Sequence, residues 1–541
     1  MTAAAPGGAA PPAPPHADGP HSAGDRPGSP RLSSVPDALR PPYPWWVALP
    51  LAVLAGFVYD LGFPGASVWP LAFVGIALVL VALIGRSIGG ALLVGYVFGA
   101  TFYLVDVSWT GRYLGPIPWL ALSLFEALFV AVGCLAIALA YRWMPRAAPG
   151  AFGRLVALPA LVAGLWVLRE NVVGSFPYGG FPWARAALSQ SESPFAQLVS
   201  WGGSSGLGFV MVFVVAAAIE WLRRARWNDW RGALPFAVTL VVALLLPAWP
   251  TTPGGELRVA SAQGNGPAGY FDERAAGDVF RSQVEATKPL LDADDVDVLL
   301  WPEGSVDLDP FGNPTVANSL DGIAAAVDAP FVFNTVTLRD GEYFNTSVLW
   351  RADEGAEALF DKRNPVPFGE YIPDRDFYMM LAPDLISLVQ RGYSPGSNAP
   401  VFDLGDAVAG LAICFDVIYD DLIWEGARDG AELYLLQTNN ADFRGTDENL
   451  QQLAIARLRA IETGRSVVNL STVGTSQVID PTGRTIDGLA ADVQGSMLTD
   501  VELRTGFTPA VFLGPWVPGS IAVLSLAGLL AAGIAARRRR A

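Results

Sequence analysis

The sequence predicts a multi-span α-helical membrane bundle of about eight spans carrying one α/β domain outside the bilayer. Two observations predict it. Of 541 residues, 52% are hydrophobic and mean hydropathy is +0.36, too apolar for an ordinary soluble chain. The apolar residues are also unevenly placed. Long uncharged runs fill about 43–249 and 511–536, and a stretch of ordinary globular composition lies between them.

In chain order, residues 1–42 are rich in Pro, Ala and Gly without apolar periodicity and are expected to form a disordered tail. No cleavable leader is expected, because the first apolar run starts only after this tail. Runs near 43–62, 67–85, 88–105, 116–141, 153–168, 203–222, 232–249 and 511–536 approach the length that crosses a ~30 Å hydrocarbon core. The fifth run is short, and the fourth carries Glu126, an intramembrane ionisable residue that marks a polar path. Cys134, on the same run, is expected only to pack. Residues 43–249 thus hold spans one to seven, 250–510 the outer domain, and 511–541 the last span with its basic end.

Arginine bias orients the bundle. Arg40, Arg86, Arg142, Arg146, Arg154, Arg223, Arg224, Arg226, Arg231 and Arg537 to Arg540 all fall on one predicted side. The positive-inside rule makes that side cytoplasmic. Both termini are then cytoplasmic in a multi-pass protein of the cell membrane, and 250–510 lies on the extracytoplasmic face.

Within that outer segment, short β-branched runs alternate with helical patterns. The runs are Leu257–Ala262, Val296–Trp301, Pro330–Val336, Thr346–Trp350, Val408–Ile413, Leu433–Gln437 and Ser466–Leu470. The helices lie around 275–291, 317–327, 418–429 and 446–463, the last capped by Thr446 with Asn449 in its third position. This alternation argues helices covering a sheet core.

Charge narrows the function. Residues 255–507 hold 41 Asp and Glu against 17 Lys and Arg, a sign that repels phosphate backbones, so no nucleic-acid partner is expected. The two histidines both lie in the tail and only one cysteine lies outside the apolar runs, so neither a metal site nor a cofactor is expected. Lysine is scarce: Lys288 and Lys362 stand against 33 arginines. A chain that writes nearly every cation as Arg keeps Lys by chance or where a compact point charge is needed.

Three residues carry candidate chemistry. Cys414 ends the run Val408-Ala-Gly-Leu-Ala-Ile-Cys before a helical pattern, where backbone N–H groups are expected to lower a thiol pKa and to hold an oxyanion. Alone, such a cysteine is more often a small core residue. Glu303 ends Val298-Leu-Leu-Trp-Pro-Glu-Gly, and alone reads as a solvated turn. Lys362 stands in Phe360-Asp-Lys-Arg-Asn-Pro-Val-Pro-Phe-Gly-Glu-Tyr-Ile-Pro, whose prolines and glycine imply a rigid loop.

Together these residues resemble the nitrilase (carbon–nitrogen hydrolase) superfamily, whose sites pair a Glu base, a Lys and a Cys nucleophile. With the membrane layout the resemblance narrows to its membrane-bound apolipoprotein N-acyltransferase family, and runs from the first span to the last. It rests on Gln263-Gly-Asn, Trp301-Pro-Glu, Asn345-Thr-Ser, Lys362 with Pro367-Phe-Gly-Glu-Tyr-Ile-Pro, and Ile413-Cys-Phe-Asp. Thr438-Asn-Asn-Ala, the segment from Gln451 to Arg465 and Gly180-Phe-Pro-Trp complete the set. The chain departs from it at Cys414-Phe415-Asp416, where Cys-Tyr-Glu is usual, and at Asn439-Asn-Ala-Asp-Phe, where Asn-Asp-Ala-Trp-Phe is usual.

The resemblance implies an αββα sandwich for the outer domain and N-acylation of the diacylglyceryl-cysteine of lipoproteins. The donor would be a phospholipid and the acceptor a diacylated lipoprotein, with ping-pong transfer through a thioester on Cys414. Glu303 would be the general base. Lys362, with the N–H after Cys414, would hold the oxyanion. Glu370 would orient Lys362 or form a second carboxylate pair, or else make only a loop salt bridge. Asp416 would position Lys362 or receive the incoming ammonium. Phe415, Asn439 and Asn440 would support the site, and Gln451 and Arg457 would serve structure. Phe377, Tyr378, Met379, Met380 and Leu381, in the loops around 365–400, would form an apolar lid, or else ordinary core. A monomer is expected. Two alternatives stand beside this one: a membrane-tethered amidase or nitrilase hydrolysing a C–N bond, and a non-enzymatic scaffold, which would need none of the three residues.

Overall fold

In a computed structural model the described residues are 41–223 and 230–539. The expected tail falls outside them save for its last two residues, as do Arg40, Arg224, Arg226 and Arg540 of the orientation argument.

Each of the eight apolar runs contains a helix. Ile88–Asp106, Pro116–Ala147, Gly153–Val173, Ala196–Arg223 and Trp516–Arg538 are long and apolar enough to cross a membrane, whereas Trp45–Asp60, Pro70–Leu83 and Trp230–Leu245 are shorter. At 1.5 Å per residue the 14 residues of Pro70–Leu83 reach about 21 Å against a ~30 Å core. The fifth helix runs past its expected end at 168, carrying Arg169 and Glu170. Those charges are tolerated because Glu170 is buried among donors. It accepts from Trp166 Nε1 at 2.8 Å and Ala186 N–H at 3.0 Å, with Arg169 at 3.4 Å. Helices Ile88–Asp106 and Pro116–Ala147 pack closely. A side chain added at Gly95 would come within 2.5 Å of Cys134, which is buried in that contact.

The bundle has two unlike ends. At one, arginine side chains tie helix ends together: Arg142 donates to Arg86 O at 2.7 Å, Arg539 to Arg146 O at 3.1 Å, and Arg154 pairs with Glu220 at 2.6 Å. At the other, Trp109 and the loop Gly180–Trp183 meet the α/β domain. Trp109 Nε1 and Trp183 Nε1 both donate to Gln451 Oε1, at 3.0 and 2.6 Å, while Gln451 Nε2 donates to Asp106 O at 2.9 Å. Arg185 forks onto Asp420 at 2.7 and 2.9 Å. Gln451 thus fastens bundle to domain. Arg457 spans Gly483 O and Gln477 Oε1 within the domain.

The α/β domain is built from two six-stranded sheets. One contains β1 (Thr252–Gln263), β2 (Val298–Leu300), β3 (Phe331–Arg339), β4 (Glu342–Arg351) and β5 (Gly355–Asp361). The other contains β6 (Val401–Asp403), β7 (Val408–Ile413), β8 (Leu433–Thr438), β9 (Ser466–Ser471), β10 (Ser476–Ile479) and β11 (Thr485–Leu489). The last strand, β12 (Gly495–Thr505), returns to the first sheet, giving orders β12-β1-β2-β3-β4-β5 and β11-β10-β9-β8-β7-β6. The centre of each sheet is parallel and the outer pairings are antiparallel.

Strand periodicity explains the layering. Along β2, Val298 and Leu300 join Leu411, Leu433, Leu435 and Val467 in the core between the sheets. Leu299 and Trp301 turn the other way, onto Ala286 and Leu320 of helices Asp278–Thr287 and Pro314–Val327. Helices Asp420–Arg428 and Glu448–Thr463 cover the second sheet. The result is helix on sheet on sheet on helix.

Two local expectations need correction. Thr446 is not the cap of the last long helix. Asp447 holds that position without a side-chain cap bond, and Thr446 Oγ1 accepts from Glu448 N–H at 3.4 Å. A short 3₁₀ turn, Cys414–Ile418, stands between β7 and helix Asp420–Arg428, so Cys414 opens a tight turn rather than the helix itself.

Candidate active site

Strand ends place the three candidate residues. Glu303 follows β2, where Gly304 takes a left-handed φ of +66° and its N–H donates to Asn334 Oδ1 at 2.7 Å. Lys362 follows β5, its own N–H held by Asn345 O at 2.8 Å. Cys414 follows β7 with φ +51°, a conformation that costs a non-glycine residue roughly 1–2 kcal/mol. The tight 3₁₀ turn over-determines that backbone and turns the thiol toward the cavity.

These residues line one cavity of about 1660 Å³. Its walls come from both parts of the molecule. Ile117, Leu122, Phe125 and Glu126 contribute from the bundle; Glu303, Lys362, Glu370, Cys414, Asn439 and Glu448 contribute from the α/β domain. Ile117 and Phe125 are also exposed on the outer surface of the bundle. The cavity therefore connects an apolar face of the bundle to the thiol, and Glu126 lies along that path.

Lys362 is the hub of the charged cluster. It is 1% exposed, with Nζ 2.9 Å from the Glu370 carboxylate and 3.3 Å from Glu303 Oε1. Asn345 Nδ2 also donates to Glu303 Oε1 at 2.8 Å, and Asn334 Nδ2 fixes Asn345 through its Oδ1 at 2.8 Å. Glu370 is anchored in turn by Val366 N–H at 2.7 Å. Burial works against the Lys362 ammonium, but Glu303 and Glu370 outweigh it and hold its pKa well above the usual lysine value. Burial raises Glu303, with Lys362 opposing and Glu370 reinforcing.

The thiol does not behave as the sequence predicts. Burial, with Glu303 adding to it, pushes the Cys414 pKa well up, and Lys362 only partly opposes this. The turn's N–H groups do not compensate for loss of water. A thiol held neutral in this way needs a base during attack, and Glu303 is the carboxylate whose charge acts on it most strongly.

The supporting residues divide by role. Asp416 is fully buried and accepts the N–H groups of Arg363 and Asn364 at 3.2 and 2.8 Å, so it fixes the loop that follows Lys362. Phe415 stacks on Phe181 and Trp183 with centroids 6.2 and 6.1 Å apart, which sets the nucleophile's turn against the bundle loop. Asn439 lines the cavity and donates to Ala268 O at 3.1 Å. Asn440 lies behind the wall, donating to Glu448 Oε2 and Gln452 Oε1, both at 2.8 Å. Of the expected lid, Tyr378 turns inward onto Phe368 with centroids 4.9 Å apart, while Phe377, Met379, Met380 and Leu381 are exposed.

Two site residues escape the sequence reading. Gln452 Nε2 donates to Cys414 Sγ at 3.4 Å. Glu448, one helical turn earlier, is 2% exposed and lines the cavity. Their i, i+4 spacing on a predicted helix places both on one face, and the face that meets a strand-end cysteine was the available signal.

Residues 55–217 match the family described as the apolipoprotein N-acyltransferase N-terminal domain, and 278–506 match carbon–nitrogen hydrolase. The chain is similar to the apolipoprotein N-acyltransferase of Mycolicibacterium smegmatis, 30% identical over 80% of this chain and 75% of that one. The apolipoprotein N-acyltransferase of Azotobacter vinelandii is 29% identical over 92% and 96%. Among solved structures, Saccharomyces cerevisiae Nit3, a member of branch 10 of the nitrilase superfamily, covers 50% of this chain and 93% of its own at 17% identity and a TM-score of 0.36.

Proposed function

Because the chain belongs to the apolipoprotein N-acyltransferase family, we propose that it moves an acyl chain from a phospholipid to the α-amine of a diacylglyceryl-cysteine, through a thioester on Cys414. The observation that carries this reading is the cavity running from the bundle's apolar face to a thiol, a base and a buried cation. Lipid substrates cannot leave a bilayer without exposing tens of CH₂ groups, at ~0.8 kcal/mol each. An entrance at the bundle avoids that cost. The amidase alternative needs no such entrance.

In the first half-reaction Glu303 takes the thiol proton as sulfur attacks the ester carbonyl. Lys362 and the Phe415 N–H stabilise the oxyanion, and Glu303 returns the proton to the departing alcohol. Glu370 keeps Lys362 in place, and Asp416 keeps its loop. In the second, the amine attacks the thioester and the thiol is restored. The eight helices would sit across the cell membrane with the arginine-bearing end cytoplasmic and the catalytic domain outside.

Purified wild type should transfer labelled acyl groups from phospholipid vesicles to a diacylglyceryl-cysteine peptide. Cys414→Ala should transfer none and should leave lipoproteins unmatured in a deficient cell. Maturation by Cys414→Ala would refute the assignment.

A further inference from the structure

The acceptor's nitrogen sets a proton count that one base does not cover. It arrives largely as –NH₃⁺, since α-amines have pKa values of about 7.7–8.0. The amide product keeps one proton. As the C–N bond forms and the C–S bond breaks, the sulfur takes the electron pair and one proton, which Glu303 can deliver. The other proton, the ammonium's own, must leave through a second group before attack, because an ammonium has no lone pair.

Glu448 has the geometry for that task. Its carboxyl is buried, lines the same cavity as Cys414, and sits one helical turn from Gln452, the donor to the thiol. Among the described residues it accepts one hydrogen bond, from Asn440 Nδ2 at 2.8 Å to Oε2, and pairs with no Lys or Arg. Asn440 is itself fixed, since its Oδ1 accepts from Ser471 Oγ at 2.6 Å. The ionisable groups acting on Glu448 are Glu303 at the end of β2, Asp442 in the turn after β8, and the Cys414 thiol, none of them cationic. A buried carboxyl without a cation, facing a reaction cavity, is a place for one to bind.

Resting on the acyl-transfer reading above, we propose that Glu448 docks the acceptor's α-ammonium and takes its proton, so that the amine reaches the Cys414 thioester neutral. Arrival of the cation favours ionised Glu448. Proton transfer leaves R–NH₂ and a neutral carboxylic acid, which returns the proton to solvent after transfer. Burial, with Glu303 and Asp442 adding to it, lifts the empty-site carboxyl to about 8, near the amine's own value, so the exchange is close to balanced.

The test separates the two half-reactions in the full-length protein. Acyl-enzyme is formed from labelled phospholipid, then given a diacylglyceryl-cysteine peptide from about pH 6.5 to about 9.5, spanning the amine's titration. Glu448→Gln still accepts from Asn440, and its transfer is timed from acyl-enzyme already formed, so a change in its acylation rate does not enter. Its transfer to the peptide should fall by up to about 10-fold at pH 7, where about a tenth of such an amine is already neutral, and the deficit should close as the solution amine becomes neutral. Hydroxylamine, already neutral at pH 7, should discharge both proteins equally. Equal peptide transfer at pH 7, or a deficit that does not change with pH, would overturn the proposal. Should the Gln variant lose acylation as well, Glu448→Asp retains the carboxyl and must keep the wild-type pH profile. If wild type forms no acyl-enzyme, the acyl-transfer reading fails and this inference with it; acylation followed by unaltered transfer removes this inference alone.

Discussion

On one side of Cys414, Glu303 shares a buried lysine with Glu370 and takes an amide donor from Asn345. On the other, Glu448 accepts from the amide of Asn440, which also donates to Gln452. Both carboxyls are buried, yet their company differs. The first side carries its counter-charge permanently, which suits the base and oxyanion holder proposed for it. Among the described residues the second has no resident cation, and burial lifts its carboxyl to about 8. On the proposed mechanism, the carboxylate beside a fixed ammonium would serve a step that recurs in each half-reaction, whereas the one without a cation would await a charge that arrives with substrate.

Breaking the charged side should have the largest effect. Lys362→Met leaves buried Glu303 and half-buried Glu370 without their lysine. Removing one partner of a buried pair typically costs about 3–5 kcal/mol, so a thermal melt should drop markedly. Acyl-enzyme formation should fall at least about 10²–10³-fold, read as single-turnover labelling. The other lysine sharpens the contrast. Lys288 pairs with Glu285 on an exposed helix face at 2.7 Å, and Lys288→Ala should leave both Tm and labelling unchanged.

A smaller effect is expected where the domain meets the bundle. Trp183→Phe removes one of two indole donors to Gln451 while keeping the ring against Phe415. That should cost about 1 kcal/mol in denaturant unfolding, with a modest loss of acylation rate. A larger loss of rate than of stability would mean that this contact positions the nucleophile's turn rather than only fastening the domain.

The uneven legibility of the chain follows the same physics. Apolar runs announced the helices because length and lack of charge are written directly in the sequence. The fifth helix outran its expected end because Arg169 and Glu170 satisfy each other inside the bundle. β7 was read to its exact bounds, Val408–Ile413, since a parallel strand buried on both faces is a continuous apolar run. β5 and β12 escape notice because their exposed and buried positions mix, and β11 because none of its positions is buried. At the site, Glu303, Lys362 and Cys414 were legible as an ordered set of motifs, and the fold brings them to one cavity. Glu448 was not, because nothing local distinguishes a buried glutamate from a solvated one in the first turn of a helix. The direction of the thiol's pKa was also misread, since burial is a tertiary property that a strand-end cysteine does not disclose.

The thioester itself is the most direct test. Wild type incubated with phospholipid carrying a labelled acyl chain, then digested and weighed, should show one acyl mass on the peptide bearing Cys414. Hydroxylamine should remove it and diacylglyceryl-cysteine peptide should consume it. Transfer of label to the acceptor with no adduct on Cys414 under any quench would contradict the proposed mechanism.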